Sequence, residues 1–87
     1  MLKIVCKIDP RDGHAEIAYR DPAARWGIVC YAHDGQHGEA HPDYFRTLRP
    51  AHTPEEHERV AALIAEFRGL PGTVSGDGVQ VMKRLTH

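Results

Sequence analysis

Apolar and polar side chains alternate in two segments near the start of the chain. The alternation covers residues 2–8 and returns over residues 14–20. A period of two is typical of a β-strand with one buried face. The segment between them, residues 9–13, reads Asp-Pro-Arg-Asp-Gly, which favours a tight turn. We therefore predict that this region forms a β-hairpin.

A third strand is predicted at residues 26–32, where almost every side chain is apolar. A continuous apolar run is expected of a central, well-covered strand. The next residues, 33–52, carry no clear period, and residues 44–48 fit a short strand and a single helical turn equally well. A turn at residues 75–78 precedes the last predicted strand, residues 79–85.

The clearest element is a helix that begins after Thr53. Thr53 and Glu56 have the spacing of a capping box, and Pro54 occupies the first helical position. Apolar residues then repeat at the spacing of one helix face, and this stripe consists of Val60, Leu63, Ile64 and Phe67. Gly69 and Pro71 are expected to end the helix.

These elements follow the order β-β-β-α-β, and we assign residues 1–87 to a single α+β domain. A chain of 87 residues suffices for one small hydrophobic core. Because one amphipathic helix covers one face of a sheet, the predicted architecture is a two-layer sandwich. Its sheet is antiparallel and has about four strands.

The sheet face opposite the helix is the predicted binding surface. Strand parity assigns to the helix side Ile4, Cys6, Ile17, Tyr19, Ile28 and Cys30. The open face then has an apolar centre within a charged rim, as binding surfaces often do. We predict that the partner-binding residues, on this face or in the loop 33–52, are Lys3, Val5, Lys7, Arg20, Val29, Tyr31, Tyr44, Arg46 and Arg49.

Charge and hydropathy narrow the classes of partner. Eleven Lys and Arg residues against 12 Asp and Glu residues give a formal charge of −1, which argues against direct nucleic-acid binding. The first residues lack the apolar stretch of a signal peptide, and the longest apolar run, residues 60–65, is too short to span a bilayer. We expect a cytoplasmic protein. Its two cysteines, Cys6 and Cys30, are expected to be free thiols within strands.

Histidines provide two alternative hypotheses. His33, His37 and His41 recur every fourth residue among carboxylates, and imidazole and carboxylate are zinc and nickel ligands. Gly35 and Pro42 argue against a helix that would align the three rings, so these histidines are weak metal candidates and no metal is favoured.

The second alternative is a small ribonuclease. His52 and His57, assisted by Arg46 or Arg49, would serve as general base and general acid. No nucleophile–base pair is evident and nothing in the sequence fixes their geometry, so no catalytic residue is assigned.

A non-enzymatic protein-binding module is therefore the preferred hypothesis, without a cofactor. Arginine outnumbers lysine eight to three, as expected of a GC-rich bacterial or phage genome. By analogy of size and class, such a module is an inhibitor or modulator of a larger host complex, as anti-CRISPR proteins and antitoxins are. The expected partner is a protein, including a nuclease or another nucleic-acid-processing complex. Self-association into a homodimer through the open face is a further option.

Overall fold

The computed structural model describes residues 2–32, 37–70 and 78–85. These ranges form five strands and two helices. The strands are β1 (Leu2–Ile8), β2 (Ala15–Arg20), β3 (Ile28–Ala32), β4 (His37–Glu39) and β5 (Val79–Val81). The helices are α1 (Pro42–Phe45) and α2 (Pro54–Arg68). The prediction of an α+β fold with one main helix is confirmed.

The strands form one mixed sheet in the order β4-β3-β2-β1-β5. The first four strands pair antiparallel with their neighbours, whereas β5 runs parallel to β1. The predicted sheet of about four antiparallel strands is therefore corrected to a mixed sheet of five. Parallel neighbours need a crossover connection, and α2 lies within the connection that precedes β5.

The predicted hairpin between β1 and β2 is confirmed, and Asp9 organises its turn. The Asp9 N–H donates to the His14 carbonyl at 2.9 Å, and the Asp9 carbonyl accepts from the Gly13 N–H at 2.8 Å. Gly13 has φ 76°, in the left-handed region that glycine adopts without steric strain. The Asp9 side chain accepts hydrogen bonds from the backbone and the guanidinium of Arg11.

Helix α2 begins with the predicted capping box. The Glu56 N–H donates to the Thr53 hydroxyl at 3.1 Å, and the Glu56 carboxylate accepts from the Thr53 N–H at 3.2 Å. The same carboxylate accepts from the His52 N–H and from the guanidinium of Arg49, each at 2.9 Å. Four groups therefore fix the start of α2 against the segment that leads into it.

Helix α2 packs on one face of the sheet around Phe67, which is fully buried. The Phe67 ring lies 5.8 Å from the ring of Tyr19 and 5.5 Å from that of Tyr31, measured between centroids. This cluster consists of Ile4, Ile8, Ala15, Ile17, Tyr31, Leu63, Phe67 and Val79. Tyr31 is 2% exposed within it, so its predicted place on the open face is wrong.

The error in β3 comes from its register. Tyr31 pairs with Ile17 and Val29 pairs with Tyr19, which places Tyr31 and Val29 on the α2 side. Ile28 and Cys30 consequently face the other way, opposite to the prediction. A one-residue shift moves every side chain of a strand to the other face, and a continuous apolar run contains no period that would fix the register.

The face opposite α2 is not open, because a second apolar cluster covers much of it. Its buried members are Val5, Ala18, Ile28 and Ala40. Partly buried side chains pack against them: Cys30 from β3, Tyr44 and Phe45 from α1, and Met82 and Leu85 from the residues after β5. Val5 lies on this face as predicted, but it is only 2% exposed, so the expectation that it is exposed is wrong. The predicted two-layer sandwich thus acquires a partial third layer.

The replacement Phe67→Ala is expected to lower the free energy of unfolding by about 3–5 kcal/mol, since it leaves a cavity among the aromatic rings. Urea denaturation followed by circular dichroism measures this difference. Val81→Ala is the matched control, because Val81 is 44% exposed and its truncation should change stability by no more than about 0.5 kcal/mol. A similar effect of the two replacements would contradict the assigned core.

The Glu56 carboxylate is expected to make stability pH-dependent. Hydrogen bonds from Arg49 and from backbone N–H groups hold the pKa of Glu56 well below its usual value of 4.5. A lowered folded-state pKa contributes stability that is present above the unfolded-state pKa and is lost as pH falls. Glu56→Gln should therefore be less stable than the native chain at neutral pH, and this difference should shrink toward about pH 3. Urea titrations across this range test it, and a constant difference would contradict it.

Candidate functional site at the open edge of β1

The outer edge of β1 is only partly paired, because its neighbour β5 is short. β5 pairs with residues Leu2 to Ile4, and beyond it the Met82 N–H donates to the Ile4 carbonyl at 2.7 Å. At the far end of β1, Ile8 and Arg49 exchange two backbone hydrogen bonds of 2.7 and 2.9 Å. The stretch between these contacts is the open edge.

Cys6 lies at the centre of the open edge. Backbone groups of successive strand residues point to opposite edges, so Cys6 presents its N–H and C=O on the same side as Ile4 and Ile8. No hydrogen bond from another described segment reaches the Cys6 backbone on that side. One main-chain donor and one main-chain acceptor are therefore available for pairing with an added strand.

A groove of about 360 Å³ runs along this edge. We call it the edge groove; its lining residues are Cys6, Lys7, Pro50, Ala51, His57, Val60, Met82 and Lys83. Apolar side chains from β1, α2 and the segment after β5 form its floor, whereas two lysines and a histidine stand at its rim. A groove with apolar walls and polar groups at the rim suits an extended peptide.

A second, smaller groove lies on the other side of Lys7. Its volume is about 190 Å³, and its lining residues are Val5, Lys7, Phe45, Arg46 and Leu85. The side chain of Lys7 is half-buried and borders both grooves. We call the two grooves together the Lys7 surface.

The charge on the Lys7 surface is largely unneutralised. The three lysines of the chain are Lys3, Lys7 and Lys83, and none forms an ion pair with a described carboxylate. Arg84, exposed beside Lys83, likewise lacks a described acidic partner. The formal charge of −1 for the whole chain therefore conceals a local excess of positive charge.

The structure brings only part of the predicted binding set together. Val5, Lys7 and Arg46 line the grooves, and Arg46 also forms a 2.6 Å ion pair with Asp43. Lys3 is exposed on the same strand as Lys7, and Arg20 is exposed at the end of β2.

Three further members of the predicted binding set lie apart from the Lys7 surface. Val29 faces α2, Arg49 is paired with Glu56, and Tyr44 lines a separate cleft.

The histidine hypotheses gain no support from the described residues. The position of His33 and the side chain of His37 lie outside them, while His41 caps α1 by accepting a hydrogen bond from the Asp43 N–H at 3.1 Å. Within the described part, no three or more His, Cys, Asp or Glu side chains are grouped so that they could hold a metal ion.

The groups proposed for a ribonuclease also have other roles. Arg49, proposed to assist acid–base catalysis, has its guanidinium hydrogen-bonded to the Glu56 carboxylate. The backbone of His52 donates to the same carboxylate, and His57 lines the edge groove.

Most of the edge groove was not predicted, because its walls come from segments far apart in sequence. Pro50 and Ala51 precede α2, whereas Met82 and Lys83 follow β5. In addition, the final strand is much shorter than the predicted 79–85, so β5 pairs with β1 only as far as Ile4.

Both thiols are expected to be unreactive toward alkylation. Burial raises the pKa of Cys6 and of Cys30 to about 12, so each thiol stays protonated at neutral pH, and the thiolate is the nucleophile. We expect slow reaction with iodoacetamide in the native protein and rapid reaction after urea unfolding, measured by mass spectrometry. Rapid native modification of either thiol would contradict its burial.

Comparison with known proteins does not assign a function to this chain. Neither described helix combines the length and apolar character required to cross a membrane. No family model, no curated protein and no solved structure matches the chain. Its function is therefore inferred from its own residues.

Proposed function

We propose that this chain is a non-enzymatic, cytoplasmic protein-binding module whose Lys7 surface binds an extended acidic segment of a partner protein. The observation that carries the proposal is the β1 edge at Cys6, which no described segment pairs with and which adjoins a groove lined by Lys7 and Lys83.

The main chain at Cys6 supplies the first element of recognition. An extended segment that enters the edge groove would pair one N–H and one C=O with those of Cys6, as in β-strand addition. The contacts of Met82 with Ile4 and of Arg49 with Ile8 bound the open edge at its two ends. Pairing is thus limited to a short stretch, and side-chain contacts in the grooves must supply the specificity.

Lysine charges supply the second element and define the chemistry of the partner. Lys7 and Lys83 line the groove and form no ion pair with a described carboxylate, so carboxylates of an incoming segment would neutralise them. Complementary charges speed association and exclude partners of like charge. Apolar surface from Val60 and Met82 between these charges suits an acidic segment with an apolar residue.

Stoichiometric binding of this kind suits an inhibitor or modulator of a larger complex. An 87-residue domain that covers an acidic strand or loop can block the access of another ligand to it. Nucleases and other nucleic-acid-processing complexes remain the proposed targets. A second copy of this chain is the competing occupant of the β1 edge, and the experiment below separates it from a distinct partner.

The test is capture from a bacterial lysate with the tagged protein, with and without nuclease treatment, quantified by mass spectrometry. We expect one stoichiometric partner, retained by the native chain and lost by the double variant Lys7→Glu/Lys83→Glu. The matched control is Arg68→Glu, which reverses an exposed charge in the last turn of α2. Circular dichroism confirms that each variant is folded.

Three results would overturn the proposal. Capture that survives the double charge reversal would move the binding site elsewhere. Capture that disappears with nuclease treatment would indicate a nucleic-acid bridge. Recovery of only a second copy of this chain, with a doubled mass in light scattering, would assign the β1 edge to a homodimer.

A further inference from the structure

A separate cleft of about 350 Å³ lies between the sheet and α1. Its lining residues are Glu16, Cys30, Ala32, Gly38, Glu39, Ala40, His41 and Tyr44. We call it the Glu16 cleft. It shares no lining residue with either groove of the Lys7 surface.

Glu16 lines this cleft, and no cation of the described residues forms an ion pair with its carboxylate. Asp9 is paired with Arg11 and Glu56 with Arg49, but no ion pair to Glu16 is present in the described part. Its cross-strand neighbour is Lys7, which lines the two grooves and lies beyond ion-pair distance of Glu16. A half-buried carboxylate of this kind is destabilising unless a cation or donor compensates it.

Nearby groups compensate Glu16 only in part. The Tyr44 hydroxyl oxygen lies 3.4 Å from Asp9 Oδ2. Its single proton is shared between hydrogen bonds to Asp9 and to Glu16. Burial raises the pKa of Glu16, and the negative charges of Asp9 and Asp12 act in the same direction, against the Tyr44 hydrogen bond and Arg11. A carboxylate has about four lone-pair sites, and Tyr44 offers it only one shared proton, so among the described residues Glu16 retains capacity to accept further hydrogen bonds.

The remaining walls of the cleft are apolar or aromatic. Cys30, Ala32 and Ala40 supply small apolar surfaces next to Glu16. His41 adds an aromatic ring, which packs edge-on against Trp26 at 5.5 Å between centroids, whereas the Arg11 guanidinium already stacks on the Tyr44 ring, 4.9 Å from its centroid. The apolar walls can accommodate the alkyl carbons attached to an ammonium group.

We propose that the Glu16 cleft binds an organic ammonium group carried on a short alkyl chain. Glu16 accepts hydrogen bonds from the ammonium, Glu39 at the rim adds negative charge, and the apolar wall contacts the alkyl carbons. The described residues contain no group of three metal-ligating side chains, which favours an organic cation over a metal ion. Both a free alkylamine and a lysine side chain of another protein offer this chemistry.

The test is titration of the ¹⁵N-labelled protein, followed by NMR, with two probes. Butylammonium represents a free amine, and a capped Gly-Lys-Gly peptide represents a lysine in a chain. We expect saturable shifts of the backbone amides of Gly38 and Ala40, which line the cleft. Tighter binding of the peptide would assign a protein lysine as the ligand, and equal or weaker binding would assign a free amine.

Glu16→Gln keeps the shape of the side chain and removes its charge. We expect affinity for the better probe to fall about tenfold or more, as for the loss of a charge-assisted hydrogen bond. Glu58→Gln is the matched control, since Glu58 is an exposed carboxylate on α2, and it should bind as the native chain does. Glu39→Gln provides a second variant within the cleft, with an expected smaller loss.

Absence of saturable shifts with both probes would overturn the proposal, as would equal affinities of the Glu16→Gln and Glu58→Gln variants. This inference does not depend on the acidic-partner proposal. The Lys7→Glu/Lys83→Glu variant alters the grooves, and Glu16→Gln alters the cleft, so capture and NMR titration report on the two sites separately.

Discussion

Arg49 joins the sheet to the main helix, and the rest of the fold depends on this connection. Its backbone exchanges two hydrogen bonds with Ile8 at the end of β1, and its guanidinium holds the Glu56 carboxylate. That carboxylate also completes the capping box with Thr53. Arg49 therefore helps to fix where α2 begins, and it closes one end of the open edge of β1.

Once α2 is anchored in this way, its apolar stripe meets the sheet at Phe67, and the chain after α2 returns beside β1. The short β5 pairs with only the first part of β1, so the edge at Cys6 stays uncovered. The segment before α2 packs on the other side of the sheet, where Tyr44 and Phe45 contact the second apolar cluster. The edge groove and the Glu16 cleft are thus consequences of how the connections around α2 are routed.

Local signals in the sequence predicted the local structure well. Turn residues around Gly13 and the capping box at Thr53 produce the hairpin and helix expected of them, because their hydrogen bonds form within a few residues. The face occupied by Tyr31 was mispredicted, since the register of β3 depends on the connection from β2 and the strand itself is uniformly apolar. Neither the cover over Val5 nor the open edge at Cys6 has a local signal, because both depend on segments distant in the chain.

The net charge of a sequence likewise does not predict how charge is distributed over the folded surface. A net charge of −1 excludes a strongly basic or acidic protein, but it says nothing about separation of charge over the surface. Lys7 and Glu16 are cross-strand neighbours that would neutralise each other if their side chains met. Instead, Lys7 lines the two grooves and Glu16 lines the cleft beside α1. This pair therefore contributes opposite charges to two separate surfaces, each suited to a ligand of opposite charge.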